Sequence, residues 1–244
     1  MRNLKLIIEY NGKNYFGWQT QPEKPTIQKT IEKALEKILN HNVLLISAGR
    51  TDRGVHALAQ TGNITTTNPI EVEKLLKGLN SLLPEDIIVK SIQEVDKDFH
   101  SRYHAKSRVY EYHIWNNPIP SVFFHPFCWQ IKKKLMFESM EGAIQFILGE
   151  HNFTSFRASD CDSVYPVRNI LHCSFKINNP HIIFSIEANG FLRHMVRNII
   201  GTLVDIGKGK IQVPEFKLIL EAEDRTRAGI TAPAKGLILK EVKY

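Results

Sequence analysis

Cysteine is scarce and scattered. Cys128, Cys161 and Cys173 are the three in 244 residues, odd in number and without a C-x-x-C pair. That argues against a disulfide framework or a structural zinc, and a reducing cytoplasm fits best. Long apolar runs are lacking too, since 18 apolar residues never follow one another, and the N-terminus opens on Leu4-Lys5-Leu6-Ile7-Ile8-Glu9-Tyr10, a strand pattern and not a leader. The chain is expected to be neither exported nor membrane-spanning. Charge runs are short, with only Lys132-Lys133-Lys134 standing out. Several catalytic signatures are missing. The ten histidines include no H-E-x-x-H or other closely spaced ligand set, so metal catalysis finds no support. Gly207-Lys208-Gly209-Lys210 lacks the phosphate-loop order and reads as a helix C-cap and basic turn. There is no G-x-S-x-G. Asp160 and Asp162 read as turn chemistry and not as a catalytic dyad.

What is present is an ordinary globular composition, 43% hydrophobic, enough for one large domain or two small ones. Lys and Arg total 32 against 25 Asp and Glu, a net charge of +7, which suits a polyanionic partner because bound cations release phosphate counterions. The basic residues are spread along the chain, so a binding face must be assembled by folding.

Hydrophobic spacing gives the element order. Leu4, Leu6, Ile8 and Tyr10 alternate as a strand, and Ile27, Ile31, Ala34, Leu35 and Ile38 follow at helical spacing. Val43 to Ser47 and His56 to Thr65 read as strands, Val72 to Leu83 as a helix stopped by Pro84, and Ile87 to Val95 as a strand. This is β-α-β-β-α-β, a ferredoxin-like order. A second, longer series starts with the strand Arg108 to Ile114, then a helix near Phe137 to Leu148 and strands Asn169 to Ile177 and His181 to Ala188. The helix Phe191 to Ile206, a short helix near Glu215 to Glu221 and the strand Gly236 to Val242 complete it. The expected fold is α+β, two ferredoxin-like halves of residues 1–104 and 105–244 with mixed, mainly antiparallel sheets meeting around a central basic cleft.

The chemistry concentrates in Ala48-Gly49-Arg50-Thr51-Asp52-Arg53-Gly54-Val55-His56-Ala57. Here one carboxylate lies between two guanidiniums, which favour the ionised form that acts as a nucleophile or base, and the glycines let backbone approach a ligand closely. The pattern alone fits equally a surface turn with ion pairs worth roughly 0 to 1 kcal/mol. Asp52 has no obvious second carboxylate for glycosidase chemistry. His56 could make a local strand hydrogen bond or serve proton transfer. Arg108, Tyr110 and Tyr112 share a strand face suited to stacking a base, although tyrosines on strands also pack cores. Arg193 and Arg197 lie four apart on the polar side of their helix, toward solvent or a site. A non-catalytic RNA binder would gain nothing from a carboxylate facing phosphate, and a sugar-bond hydrolase would need a second acid.

Gly49-Arg50-Thr51-Asp52-Arg53-Gly54-Val55-His56-Ala57 resembles the signature of the tRNA pseudouridine synthase A family. Gly17-Trp18-Gln19-Thr20-Gln21, Phe99-His100-Ser101-Arg102-Tyr103, Gly149 to Arg157 and Phe191 to Asn198 resemble further blocks of that family in the same order. Arg53 departs from members that carry alanine there. The resemblance implies a cofactor-free isomerase that converts uridine to pseudouridine at positions 38, 39 and 40 of the tRNA anticodon arm, working as a homodimer that holds one tRNA across both subunits. It implies Asp52 as the catalytic aspartate, with Tyr110, Arg197 and Arg50 at the substrate; Arg53, which adds charge beside the site, and His56, close to Asp52 in the chain, are expected as further substrate contacts. Within that set Tyr110 packs on the target base, Arg197 is the basic partner of the aspartate, and Arg50 belongs to the space left by the flipped nucleotide.

Overall fold

The computed structural model describes residues 1–161 and 163–244, so Asp162 lies outside the described residues. In chain order the elements are β1 (Arg2–Tyr10), α1 (Ile27–Leu39), β2 (Ile46–Ser47), β3 (His56–Thr66), α2 (Val72–Leu82), β4 (Ile87–Val95), β5 (Ser107–Trp115), β6 (Trp129–Gln130), α3 (Phe137–Ile144), β7 (Gly149–Asn152), β8 (Val167–Asn178), β9 (His181–Ala188), α4 (Met195–Gly207), α5 (Val213–Glu221) and β10 (Leu237–Lys243). No described helix is long and apolar enough to cross a membrane. The chain divides into two compact units, one of Met1–Lys106 with Ile238–Tyr244 and one of Ser107–Leu237.

The first unit has the strand order β4-β1-β3, with β2 pairing β3. Both neighbours of β1 run antiparallel to it, as does β2 to β3, which is the arrangement a β-α-β-β-α-β chain adopts when each helix returns the chain across the sheet. Period-two alternation buries Leu4, Leu6, Ile8 and Tyr10 of β1, and helical spacing buries Ile31 and Leu35 of α1 and Leu75 and Leu79 of α2, all at most 3% exposed. Burying one such aliphatic side chain is worth roughly 1.5–3 kcal/mol. The C-terminal strand also belongs here. Ile238 and Leu239 run parallel to His56 and Ala57, and the Tyr244 hydroxyl donates to the Ser101 carbonyl at 2.7 Å. The division at 104/105 expected from element order therefore does not hold for residues 238–244, because the register and the Tyr244 anchor bind them to the first unit.

In the second unit β5 pairs antiparallel with β9, β9 with β8 and β8 with β7, while β6 runs parallel to β5. Tyr112 and Ile114 of β5, Ile182, Phe184 and Ile186 of β9, and Ile199, Ile200 and Leu203 of α4 are fully buried. Both units are mixed α+β with mainly antiparallel pairing. The helix expected from Phe191 starts four residues later. The Arg193 carbonyl accepts the Ala158 N–H at 2.9 Å and His194 takes a left-handed conformation with φ of 63°, which delays the helical ladder to Met195. Its far end is as expected, closing at Gly207, with Lys210 in the following turn paired to Asp205 at 3.2 Å.

Candidate active site

In the first unit the loop between β2 and β3 is fixed at both of its shoulders, and Asp52 stands between them. On one side the Thr51 carbonyl accepts the Trp18 N–H at 3.0 Å, and the Thr51 hydroxyl sits 2.7 Å from the Tyr10 hydroxyl in the core. On the other, the Asp52 carbonyl accepts the Val55 N–H at 3.1 Å, a tight turn that Gly54 completes at φ +77°, where a side chain would strain the backbone. The Gln60 amide donates to the Gly49 carbonyl at 2.8 Å and ties the start of the loop to β3. Thr51 and Val55 are buried, Asp52 is half-buried, and Arg50 and Arg53 are exposed. The sequence cluster is thus a rigid platform that brings one carboxylate to the edge of solvent with a cation on either side in the chain.

Arg53 sits over the face of Phe16, its guanidinium carbon 4.2 Å from the ring centroid, which keeps the charge close to the loop without burying it. His56, expected as a tRNA contact, is only 3% exposed, and its Nδ1 accepts the Gly12 N–H at 3.1 Å. His56 thereby bonds the turn after β1 to the start of β3 from a buried position. Gly12 itself has no room for a side chain, because a Cβ there would fall 2.0 Å from the Val55 carbonyl oxygen.

In the second unit Tyr110 is 9% exposed, and Phe191 meets it edge to face with ring centroids 5.1 Å apart. Tyr112, placed on the same face by period two, is a core residue. It is fully buried, its hydroxyl donates to the Pro233 carbonyl at 2.8 Å, and burial drives its acidity well below that of an ordinary tyrosine, against the opposing pull of the Arg197 charge. Only Tyr110 of the two retains an accessible edge. Arg197, on the first turn of α4, donates from Nε to the Ala232 carbonyl at 2.8 Å, and the Ala232 N–H returns a bond to the Arg197 carbonyl at 3.1 Å. Arg193 precedes the helix and pairs with Asp160 at 2.7 Å, so the two arginines do not form one helical face. Beside this segment a cavity of about 580 Å³ is lined by Asp160, His194, Asn198, Arg225 and Thr231, with the Arg225 guanidinium bonded to Asn198 and Thr231 at 3.1 Å each.

Sequence reasoning missed the supports: Tyr10 under Thr51, Gly12 on His56, Phe191 on Tyr110 and the Ala232 carbonyl under Arg197. Phe191 alone carried a signal, standing at the head of a family-like block.

The family model described as tRNA pseudouridine synthase matches residues 6–104 and 143–244. The chain belongs to the tRNA pseudouridine synthase family. Proteins named tRNA pseudouridine synthase A resemble this chain along its whole length. The one from Acetivibrio thermocellus is 46% identical over 244 residues, with both chains fully covered, and the one from Thermoanaerobacter sp. strain X514 is 43% identical with the same coverage. The Francisella philomiragia protein is 45% identical, covering 100% of this chain and 95% of that one. The chain is therefore an isomerase that converts uridine to pseudouridine in tRNA. Asp52 and Arg197 fall inside the family match, whereas Tyr110 falls between its two ranges and is reached by the full-length relatives.

Proposed function

We propose that this pseudouridine synthase acts on uridines 38, 39 and 40 of the tRNA anticodon arm, with Asp52 as its catalytic residue. The observation that carries the reading is the setting of Asp52, a half-buried carboxylate on a loop whose flanking residues Thr51 and Val55 are both buried and backbone-bonded. A uridine stacked in a stem must first leave the helix, at a cost of a few kcal/mol. Tyr110 packs on the extruded base, with Phe191 holding the ring upright, and Arg50 enters the space the base vacates. Asp52 then promotes cleavage of the bond between N1 and C1′. The freed uracil turns while trapped, C5 bonds to C1′, the C5 hydrogen leaves as a proton and N1 takes one up, so that product and substrate are isomers. Arg197 supplies the counter-charge to the reacting carboxylate, already oriented by Ala232. Arg53 and the net charge of +7 serve attraction of the phosphate backbone. The enzyme works in the cytoplasm as a homodimer on one tRNA, without a cofactor.

The test is carbodiimide mapping of pseudouridine on unmodified tRNA transcripts after incubation with the purified protein. Stops confined to positions 38, 39 and 40 support the reading. Modification of other arms with none at those three positions overturns the site assignment while leaving the family's isomerase chemistry intact.

A further inference from the structure

Away from Asp52, Tyr110 and Arg197, three neighbouring strand positions bring two imidazoles and a thiol together. Register places them: Trp115 pairs with His181 and His113 with Ile183 across β5 and β9, so His113 and His181 are diagonal neighbours on one face. On the other side of β5, Ile114 is level with Trp129, which sets Cys128 beside His113. One ligand atom from each of His113, Cys128 and His181 lies within 4.8 Å of the others, and His113 Nδ1 and His181 Nε2 face one another at 3.0 Å. The residues are 15 and 68 positions from His113, so no sequence motif marks the set, and the wide cysteine spacing had argued against a structural zinc.

We propose that His113, Cys128 and His181 bind a divalent metal ion of the zinc class. A thiolate with two imidazoles is a borderline-soft donor set that suits tetrahedral zinc, whose bond lengths of about 2.0–2.3 Å put donor atoms about 3.3–3.6 Å apart. To reach that, the two imidazole nitrogens at 3.0 Å must part by a few tenths of an ångström while the longer separations, up to 4.8 Å, shorten. Outside it, the Glu111 carboxylate lies 3.5 Å from His113 Nε2, close enough for a small rotation to make the carboxylate–imidazole hydrogen bond that orients a metal-bound histidine through its far nitrogen. Cys128 is 1% exposed, and burial holds its thiol up to about 12, so the ion must displace a proton; the nearby Lys235 charge lowers that barrier. Three protein ligands leave a fourth position for water. The bound ion would pin β6 and the 116–128 connection to β5 and β9. His113 and Cys128 lie in residues 105–142, between the ranges the family model matches, so the site is argued from this chain alone.

The test titrates chelator-treated protein with Co²⁺ at mildly alkaline pH and then with Zn²⁺. One equivalent per chain, a thiolate-to-cobalt charge-transfer band and its loss on adding Zn²⁺ are expected. Cys128→Ser should abolish the band with unchanged circular dichroism, and Glu111→Gln should weaken binding about 10- to 100-fold. A wild-type protein with no saturable band overturns the proposal. So does a band that persists in Cys128→Ser, which would place the metal on Cys161 or Cys173.

Discussion

Thr51 is tethered to the floor of the first unit by Tyr10, their hydroxyl oxygens 2.7 Å apart and the residues 7% and 3% exposed. The neighbour of Asp52 is thereby locked to the central strand β1, and the carboxylate inherits that rigidity. Tyr10→Phe leaves the Thr51 hydroxyl buried without this partner. It is expected to cost about 1–3 kcal/mol in denaturant unfolding and to lower kcat more than it raises KM. Replacing Thr51 by Val in the same protein should restore part of the stability and none of the turnover. Wild-type kcat in Tyr10→Phe would show that the tether does not position Asp52.

Two glycines of the same region should behave oppositely. A Cβ at Gly12 meets the Val55 carbonyl oxygen at 2.0 Å, so Gly12→Ala must push the β1 turn off the loop and is expected to destabilise by several kcal/mol, on the scale of roughly 4 or more that marks severe substitutions. At Gly49 nothing lies within 4 Å of the added methyl. Gly49→Ala should stay within about 0.5 kcal/mol of wild type in thermal or denaturant melts. If RNA approaches the loop through that open space, as the proposed function has it, tRNA turnover should nevertheless fall. Equal stability of the two variants would contradict the packing described here.

Tyr110 is expected to act through its ring. Tyr110→Phe retains the edge-to-face contact with Phe191 and should keep much of the activity, whereas Tyr110→Ala should lose most of it. Single-turnover rates on tRNA transcripts distinguish the cases. If Tyr110→Phe were as inactive as an Asp52 variant, the hydroxyl would have a chemical part that stacking does not provide.

Arg197 differs from a simple positive charge by its Nε bond to the Ala232 carbonyl at 2.8 Å. Arg197→Lys keeps the charge but cannot hold that carbonyl and present two further nitrogens at once. The expected result is a stability loss of about 0.5–1.5 kcal/mol and a kcat lowered at least about tenfold, with tRNA affinity nearly unchanged. Full activity in the lysine variant would mean that charge alone suffices.

The regular elements were legible because their apolar spacing was unambiguous. Leu4, Leu6, Ile8 and Tyr10 could belong only to a half-buried strand, and Val72 to Leu83 only to a helix stopped by Pro84. What escaped was too polar or too short to show a period. β7, Gly149–Asn152, is polar throughout and exists through backbone pairing with β8, and β6 is two residues held by β5. The start of α4 was misplaced because a bond from Ala158 to the Arg193 carbonyl, 35 residues apart, decides it. Period two correctly put Tyr110 and Tyr112 on one face but could not say that Pro233 caps the second and closes it into the core. At the site, Asp52 announced itself by its charged neighbours. Its supports did not, since Tyr10 is a strand residue 42 positions away, and nothing in the chain announces the bond from the Gly12 N–H to His56.

Tritium release from unmodified tRNA carrying [5-³H]uridine, compared between the purified wild-type protein and Asp52→Asn with no added cofactor or metal, tests the account most directly. Each isomerisation frees the C5 hydrogen, so wild type should release tritium while the variant, still binding tRNA with similar affinity and melting normally, should release none. Substantial turnover by Asp52→Asn would contradict the assignment of the chemistry to this carboxylate.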